Sequence, residues 1–392
     1  MNQKWNYVPF EDAVEIWDIK RKPINNAERA SRINGKSNNE LYPYYGATGQ
    51  VGFIDDYLTD GEYVLLGEDG APFLNPIAQK AYIVTGKTWV NNHAHVLKSK
   101  YNNKFLCYYL NSINYKDYVS GTTRLKLTQA QMKRILIPVP SIEEQERIVA
   151  KIEELFSELD NAVETLNATK AQLEVYRRAV LKESFFGDYP KKNLGEISKT
   201  ISGYAFKSSK YTPDGKYTVI KIGNVKDRHF DFSRDHTLTN EVNETILEKY
   251  LMRKGDCLIT LTGSRGKRDY GFVTMIDKQT NFLLNQRVAA LRFDEDYAIP
   301  EFYQYYLSSS DYREKFFSYE TGNVGQGNVG VKALTEPLVI CPLKEEQKTI
   351  ITKIESRLSM CEQIENTVTS ALVQASAMRQ SILKQAFEGK LL

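Results

Sequence analysis

Cysteine is scarce and scattered. Cys107, Cys257, Cys341 and Cys361 are the four in 392 residues, and no two form a CxxC pair. That spacing supports neither a disulfide framework nor a zinc cluster, and leaves buried thiols as the plain reading. Long apolar runs are missing too. No stretch approaches 18 residues, and no apolar segment follows the basic residue of the opening Met1-Asn2-Gln3-Lys4-Trp5, so no membrane span is expected and a cytoplasmic location is.

Catalytic motifs are equally hard to find. Gly86-Lys87-Thr88 and Gly35-Lys36-Ser37 resemble the end of a phosphate loop, but the glycine required five residues earlier is Ala81 in one case and Ala30 in the other. Gly325, Gly327 and Gly330 spell a dinucleotide fingerprint without the strand, helix and acidic residue of a βαβ unit, and read as a flexible loop. His93 and His95 have no third metal ligand nearby. Pro213-Asp214-Gly215-Lys216 reads first as a turn. No paired carboxylates and no nucleophile elbow emerge. A non-enzyme that recognises a ligand is the expectation.

What is present is a repeat. Glu143, Glu144 and Gln145 return as Glu345, Glu346 and Gln347, and Ile148, Lys151, Ile152 and Glu153 return as Ile350, Lys353, Ile354 and Glu355, always 202 residues on. The same offset pairs Pro140 with Pro342, Arg177 with Arg379, Leu181 with Leu383, Phe185 with Phe387 and Gly187 with Gly389. A segment of about 45 residues has been duplicated with its length kept. Both copies have helical period. Positions 148, 152, 155, 159, 162, 166, 169, 173, 176 and 180 form an apolar seam broken only by Thr169, and the second seam departs from it at Arg357. Ser141 with Glu144 predicts a capping box, and Gly187 and Gly389 predict the stops. Each helix would be a rod of roughly 65 Å that cannot bury its seam alone, so the two are expected to pair as a spacer.

The expected divisions are residues 1–142, a central helix within 143–189, residues 190–342, and a C-terminal helix within 343–392. Net charge separates them: +4, −5, +3 and +1 in that order. Short β-like runs (62–66, 81–84, 135–139, 217–220, 257–261, 287–291) and tyrosine-rich helix candidates (103–111, 300–308) give both larger segments one α/β plan. Two basic lobes on a fixed spacer suggest double-stranded DNA, whose grooves reward a matched pair of readers.

Candidate DNA-binding groups are polar and basic side chains on glycine-flexed loops. In the first lobe these are Lys20, Arg21, Lys22, Tyr44, Tyr45, Thr48, Gln50, Asn91, Asn92, His93, Thr122, Thr123, Arg124 and Lys126. The second offers Tyr204, Lys207, Asn224, Lys226, Arg228, Thr262, Ser264, Arg265, Lys267, Arg268, Asn285, Gln286, Arg287, Asn323, Gln326 and Asn328. Any one of them also fits a solvated loop, and the heptad seam alone fits a coiled-coil protein-interaction scaffold without DNA recognition.

The order of parts resembles the specificity subunit of type I restriction-modification systems along the whole chain. Ile137-Pro138-Val139-Pro140 leads into the first helix with Gln145 before Ile148, Pro342 with Gln347 leads into the second, and the second helix ends with Phe387, Gly389 and Lys390. The resemblance implies an α/β (α+β) fold with two target recognition domains separated by a long antiparallel two-helix coiled coil, related by a pseudo-twofold repeat. It implies that each domain reads half of a bipartite DNA site while the helices set the gap. It also implies two methyltransferase (modification) subunits and restriction/translocase subunits as partners, which would carry S-adenosylmethionine, ATP and magnesium. This chain would then need no cofactor, no metal and no catalytic residue.

Overall fold

The computed structural model describes residues 5–240, 242–322 and 325–392. The fold is mixed α/β, with two helices of 43 and 44 residues, Ile142–Ser184 and Lys344–Phe387. The chain divides into two compact units, Met1–Ala168 with Val368–Leu392, and Thr169–Thr367. Each long helix therefore belongs in part to both. No helix among the described residues is long and apolar enough to cross a membrane.

In the first unit, a four-stranded antiparallel sheet runs in the order Val14–Ile16, Ala94–Ser99, Tyr63–Gly67, Ala81–Val84. Tyr63–Gly67 is buried at every residue, which its almost unbroken apolar run Tyr-Val-Leu-Leu requires of a central strand. A second sheet pairs Tyr42–Gly46 in parallel with Lys87–Val90 and flanks them with Gly49–Ile54 and Thr59–Asp60. Helix Asn103–Ser112 packs its Phe105, Leu106, Tyr109 and Leu110 face into the core.

The second unit repeats this plan. Its sheet runs Ser198–Ser202, Val288–Phe293, Cys257–Thr260, Val273–Met275, and its second sheet pairs Tyr217–Ile220 in parallel with Phe282–Leu284. Corresponding elements drift apart in number. The offset is 184 at the first strand (7 to 191), 194 at the central strand (63 to 257), 197 at the helix (103 to 300) and 202 at the strand before the long helix (136 to 338). Insertions sit in the loops, so the lobes share a scaffold while their sequences look unrelated.

Both cores use the long helices in the same way. In the first unit, Ile148 and Ile152 from the start of one helix and Leu383 and Phe387 from the end of the other join the core. In the second, the equivalents are Ile350, Ile354, Leu181 and Phe185. Phe387 meets Phe105 and Tyr109 edge-on, each at 5.2 Å, and Phe185 meets Phe302 at 5.5 Å and Tyr306 at 5.2 Å in the same geometry. Within each unit the start of one long helix thus lies with the end of the other, an antiparallel arrangement. Buried Gln145 and Gln347 repeat a lock at the helix starts, each donating through Nε2 to the carbonyl of Pro140 (3.0 Å) or Pro342 (2.8 Å).

Arg357, the charged residue of the second seam, is half-buried and reaches across to the other helix. Its Nε donates to Tyr176 Oη at 3.1 Å and its Nη1 to Glu183 at 2.9 Å, with the guanidinium 5.4 Å from the Tyr176 ring. The repeated arginines also bridge the helices: Arg177 donates to Glu365 at 2.6 Å in the second unit, and Arg379 to Asp160 in the first.

At the ends, Ser141 Oγ accepts from Glu144 N–H at 3.2 Å, and Gly389 takes a φ of 70° and stops the second helix. Gly187 is not such a stop. The first helix ends at Ser184, and Gly187 instead gives room to the Tyr189 ring, whose Cε2 would lie 2.6 Å from an added Cβ. A second correction concerns the glycine-rich segment read as a flexible loop. Gln326–Val329 is a strand, paired with Thr262–Ser264 on one side and Glu320–Thr321 on the other.

Candidate nucleic-acid interface

Three loops converge on a cleft in each unit. In the first they follow strand Tyr42–Gly46, follow strand Tyr63–Gly67, and precede strand Ala94–Ser99, and the segment around Thr123 closes the cleft. The cleft holds about 700 Å³ and brings together Thr48, Asn91, His93, Thr123 and Arg124. The equivalent loops of the second unit enclose about 430 Å³ and bring together Lys226, Thr262, Ser264, Arg287 and Gln326. Asn91-Asn92-His93 and Asn285-Gln286-Arg287 occupy the same turn, 194 residues apart. The same scaffold positions thus carry different donors and acceptors.

Two carboxylates that sequence reasoning passed over organise these clefts. Asp69 forms an ion pair with Arg124 Nε at 2.7 Å and lies 3.5 Å from His93 Nδ1, which has no hydrogen bond among the described residues. Asp269 accepts from the Ser264 N–H at 2.6 Å and its hydroxyl at 3.0 Å, and the N–H bond above all holds its carboxyl below the ordinary carboxylate range. Selecting cations and amides by chemistry misses acids that orient them. The available signal was position: Glu68-Asp69 comes straight after a buried strand.

The structure moves several candidates into the scaffold. Arg21 is held by Asp18 at 3.0 Å, by Glu68 and by the Ala94 carbonyl at 3.1 Å, which commits its guanidinium to the scaffold. Tyr44 is 5% exposed, with Arg29 stacked 4.9 Å from its ring. Asn224 is 1% exposed, accepts from Lys221 N–H at 2.9 Å, and donates to the Asp231 and Asp235 carbonyls at 3.1 and 2.6 Å. Asn91 and Thr262 are buried on the cleft floors. Asn91 caps its own turn by accepting from His93 N–H at 2.8 Å.

The remaining candidates lie outside the clefts. Lys20, Asn92, Thr122, Lys207, Lys267, Gln286 and Asn328 are exposed, and Lys126 is exposed beside Glu68 at 3.5 Å. Gln50 donates to the Gly52 carbonyl at 3.1 Å, Lys22 stands 5.9 Å from the Trp89 ring, and Tyr45 tilts against Tyr82 at 5.9 Å. In the second unit Tyr204 packs on Phe206 and Tyr250, and Arg228 pairs with Asp227 at 3.1 Å. Arg265 donates to the Gly322 carbonyl at 2.9 Å, and Arg268 stands 4.8 Å from the Phe317 ring. Asn285 bridges to Tyr204 through its backbone, and Asn323 lies outside the described residues.

No group of three or more His, Cys, Asp or Glu among the described residues could hold a metal ion. His95 is instead a core residue. It is 1% exposed, with Nδ1 2.7 Å from Asp18 and Nε2 2.9 Å from the Leu127 carbonyl. All four cysteines are buried, and burial pushes the Cys107 thiol up to about 12.

Burial opposes ionisation of Asp18, but its bonds from His95 and the Val96 N–H, with Arg21 nearby, outweigh that and hold the carboxyl below its ordinary value. A depressed carboxylate stabilises the fold above its unfolded value, about 3.9, and that contribution disappears as pH falls through the folded value. Asp18→Asn is therefore expected to destabilise the first unit by about 1–3 kcal/mol at pH 7. Its deficit against the native chain should shrink on acidification below about pH 4. Thermal unfolding over a pH series checks this, and a deficit independent of pH would contradict it.

The family described as the type I restriction modification DNA specificity domain matches residues 2–175 and again 187–374. A Haemophilus influenzae protein assigned as a type I restriction enzyme specificity subunit is 26% identical over 388 residues, 95% of this chain and 91% of that protein. The EcoKI specificity subunit of Escherichia coli is 25% identical over 308 residues, 73% of this chain and 65% of that protein. Among solved structures, a chain from work on assembly and conformational transition of the type I R-M system superposes with a TM-score of 0.69 at 17% identity, covering 98% of both chains. The HsdS subunit from Thermoanaerobacter tengcongensis gives 0.56 at 17% identity, covering 100% of this chain and 98% of that one.

Proposed function

Because this chain belongs to the type I restriction modification DNA specificity domain family, we propose that it is the DNA-sequence specificity subunit of such a system and reads a bipartite duplex site. Each unit reads one half through its cleft, and the paired long helices set the unread gap and dock two modification subunits. Methyl transfer from S-adenosylmethionine and magnesium- and ATP-dependent cleavage belong to the partner modification and restriction subunits, and this chain contributes recognition without chemistry, in the cytoplasm.

One observation carries this reading: equivalent loops of two matching scaffolds form clefts lined by different hydrogen-bonding side chains. A duplicated enzyme would have kept one set of reacting groups in both. A reader of two unlike half-sites needs two sets.

The test is duplex binding by the chain with its modification subunits at rising salt. The logarithm of affinity should fall linearly with that of salt, by about 0.9 per phosphate contacted. Lys267 is exposed and has no hydrogen bond or ion pair among the described residues, so Lys267→Ala should lower the slope by about one without changing base preference. Arg265 is a poorer probe because it also ties down Gly322. Absence of salt-dependent duplex binding would favour the protein-scaffold reading.

A further inference from the structure

Three non-glycine residues among those described have a positive φ, and all three are arginines of the second unit: Arg228 at 62°, Arg268 at 48° and Arg287 at 70°. A side chain in this region is strained, and such strain persists only where the surroundings impose it. The first two have local occupations, Arg228 on Asp227 and Arg268 over Phe317. Arg287 has none. Its side chain is exposed and lines the cleft, with no hydrogen bond, ion pair or ring contact among the described residues.

Its backbone, by contrast, is held at its carbonyl and through its neighbours. Leu261 N–H donates to the Arg287 carbonyl at 2.9 Å, Gln286 N–H donates to Tyr204 at 2.9 Å, and strand Val288–Phe293 begins at the next residue. Asp269, the one carboxylate among the described residues that line the cleft, is already taken by Ser264. The turn therefore holds a guanidinium with no partner among the described residues beside Lys226, Ser264 and Gln326. The equivalent place in the first unit holds His93 beside Asp69.

We infer that Arg287 is a base-reading residue that takes a guanine of the half-site read by the second unit, donating its planar fork to O6 and N7 in the major groove. This rests on the DNA-reading function proposed above. A guanidinium suits guanine because its two parallel N–H groups match two acceptors on the base edge; the same fork also fits phosphate, and the two roles differ in whether base preference depends on it. A reading group must also be presented at a fixed angle. A strained but immobile turn does this better than the long exposed loop that carries Lys267.

The experiment uses the chain complexed with its modification subunits and a duplex library randomised through both half-sites. Arg287→Gly should keep or slightly raise the melting temperature, because glycine adopts a positive φ without strain. It should lower affinity for the preferred duplex by about 5- to 140-fold and abolish preference at a single G·C position, leaving the other half-site intact. Arg287→Lys should keep the salt slope and still lose that preference. A uniform loss over all sequences, with the slope lower by about one, would make Arg287 a phosphate anchor and overturn the inference. So would a variant with unchanged base preferences while the native complex reads both half-sites. A native complex with no sequence preference would instead overturn the proposed function itself.

Discussion

Removing seven residues from the middle of each long helix is expected to shorten the unread gap of the DNA target by about three base pairs, since seven residues span roughly 10 Å of helix and each base pair rises about 3.4 Å. Seven is the right number because the apolar seam advances by one heptad every two turns, so the ends of the helices still meet in register. The residues that anchor each unit, Ile148, Ile152, Leu383 and Phe387 in one and Leu181, Phe185, Ile350 and Ile354 in the other, are untouched. Mapping methylated sites in a host that carries the shortened chain reads the result. Half-site sequences should persist at the new spacing, and an unchanged gap would refute the spacer role. Shortening one helix alone should abolish methylation, because only one of two length-matched rods has changed.

Asp256→Ala is expected to unfold the second unit most readily of any single substitution outside its aromatic core. Asp256 is 1% exposed and accepts from Arg292 Nε and Nη2, both at 2.7 Å, and from the Arg253 N–H at 2.7 Å. The side-chain hydrogen bond to Asp256 leads in holding the Arg292 guanidinium above its ordinary pKa. Removing one partner of such a pair costs about 3–5 kcal/mol, and solvent access to Arg292 places this case near about 3. For a unit of this size the melting temperature should fall by roughly 6–12 °C. The double substitution Asp256→Leu with Arg292→Met leaves no charge stranded and should recover much of the loss. The first unit has Glu62 and Lys98 at the corresponding positions, and Glu62 is exposed. Its transition should therefore stay where it was, and equal loss in both units would contradict this account.

The long helices were legible because a seam repeating every seven residues from 148 to 180 is a strong signal, and its second copy 202 residues later removes chance. Strands Ala81–Val84 and Tyr217–Ile220 and helix Pro300–Ser308 stood out for similar reasons, each bounded by turn residues or proline. Three-residue strands such as Tyr7–Pro9, paired with Leu136–Pro138, carry too few positions for any period. Gln326–Val329 was hidden by its glycine content, since its pairing depends on Thr262–Ser264, more than 60 residues away.

The site was legible as a set of chemical types and not as a place. Arg21 and Arg287 look alike in sequence, each beside polar residues and near a β-like run. Arg21 is claimed by Asp18 and by Glu68, 47 residues on, while Arg287 pairs with no acid among the described residues. Only folding decides which arginine remains available. The same holds for Asn91 and Asn92, neighbours of which one is buried in its own turn and the other exposed.

The offset that grows through each lobe and then stays at 202 along the helices has a genetic consequence. A crossover within the repeated helix sequence exchanges an entire lobe while every anchor, Gln145 or Gln347 and the terminal phenylalanines included, keeps its place. New combinations of half-site preference can thus arise in one recombination event, with no intermediate that must rebuild its rods.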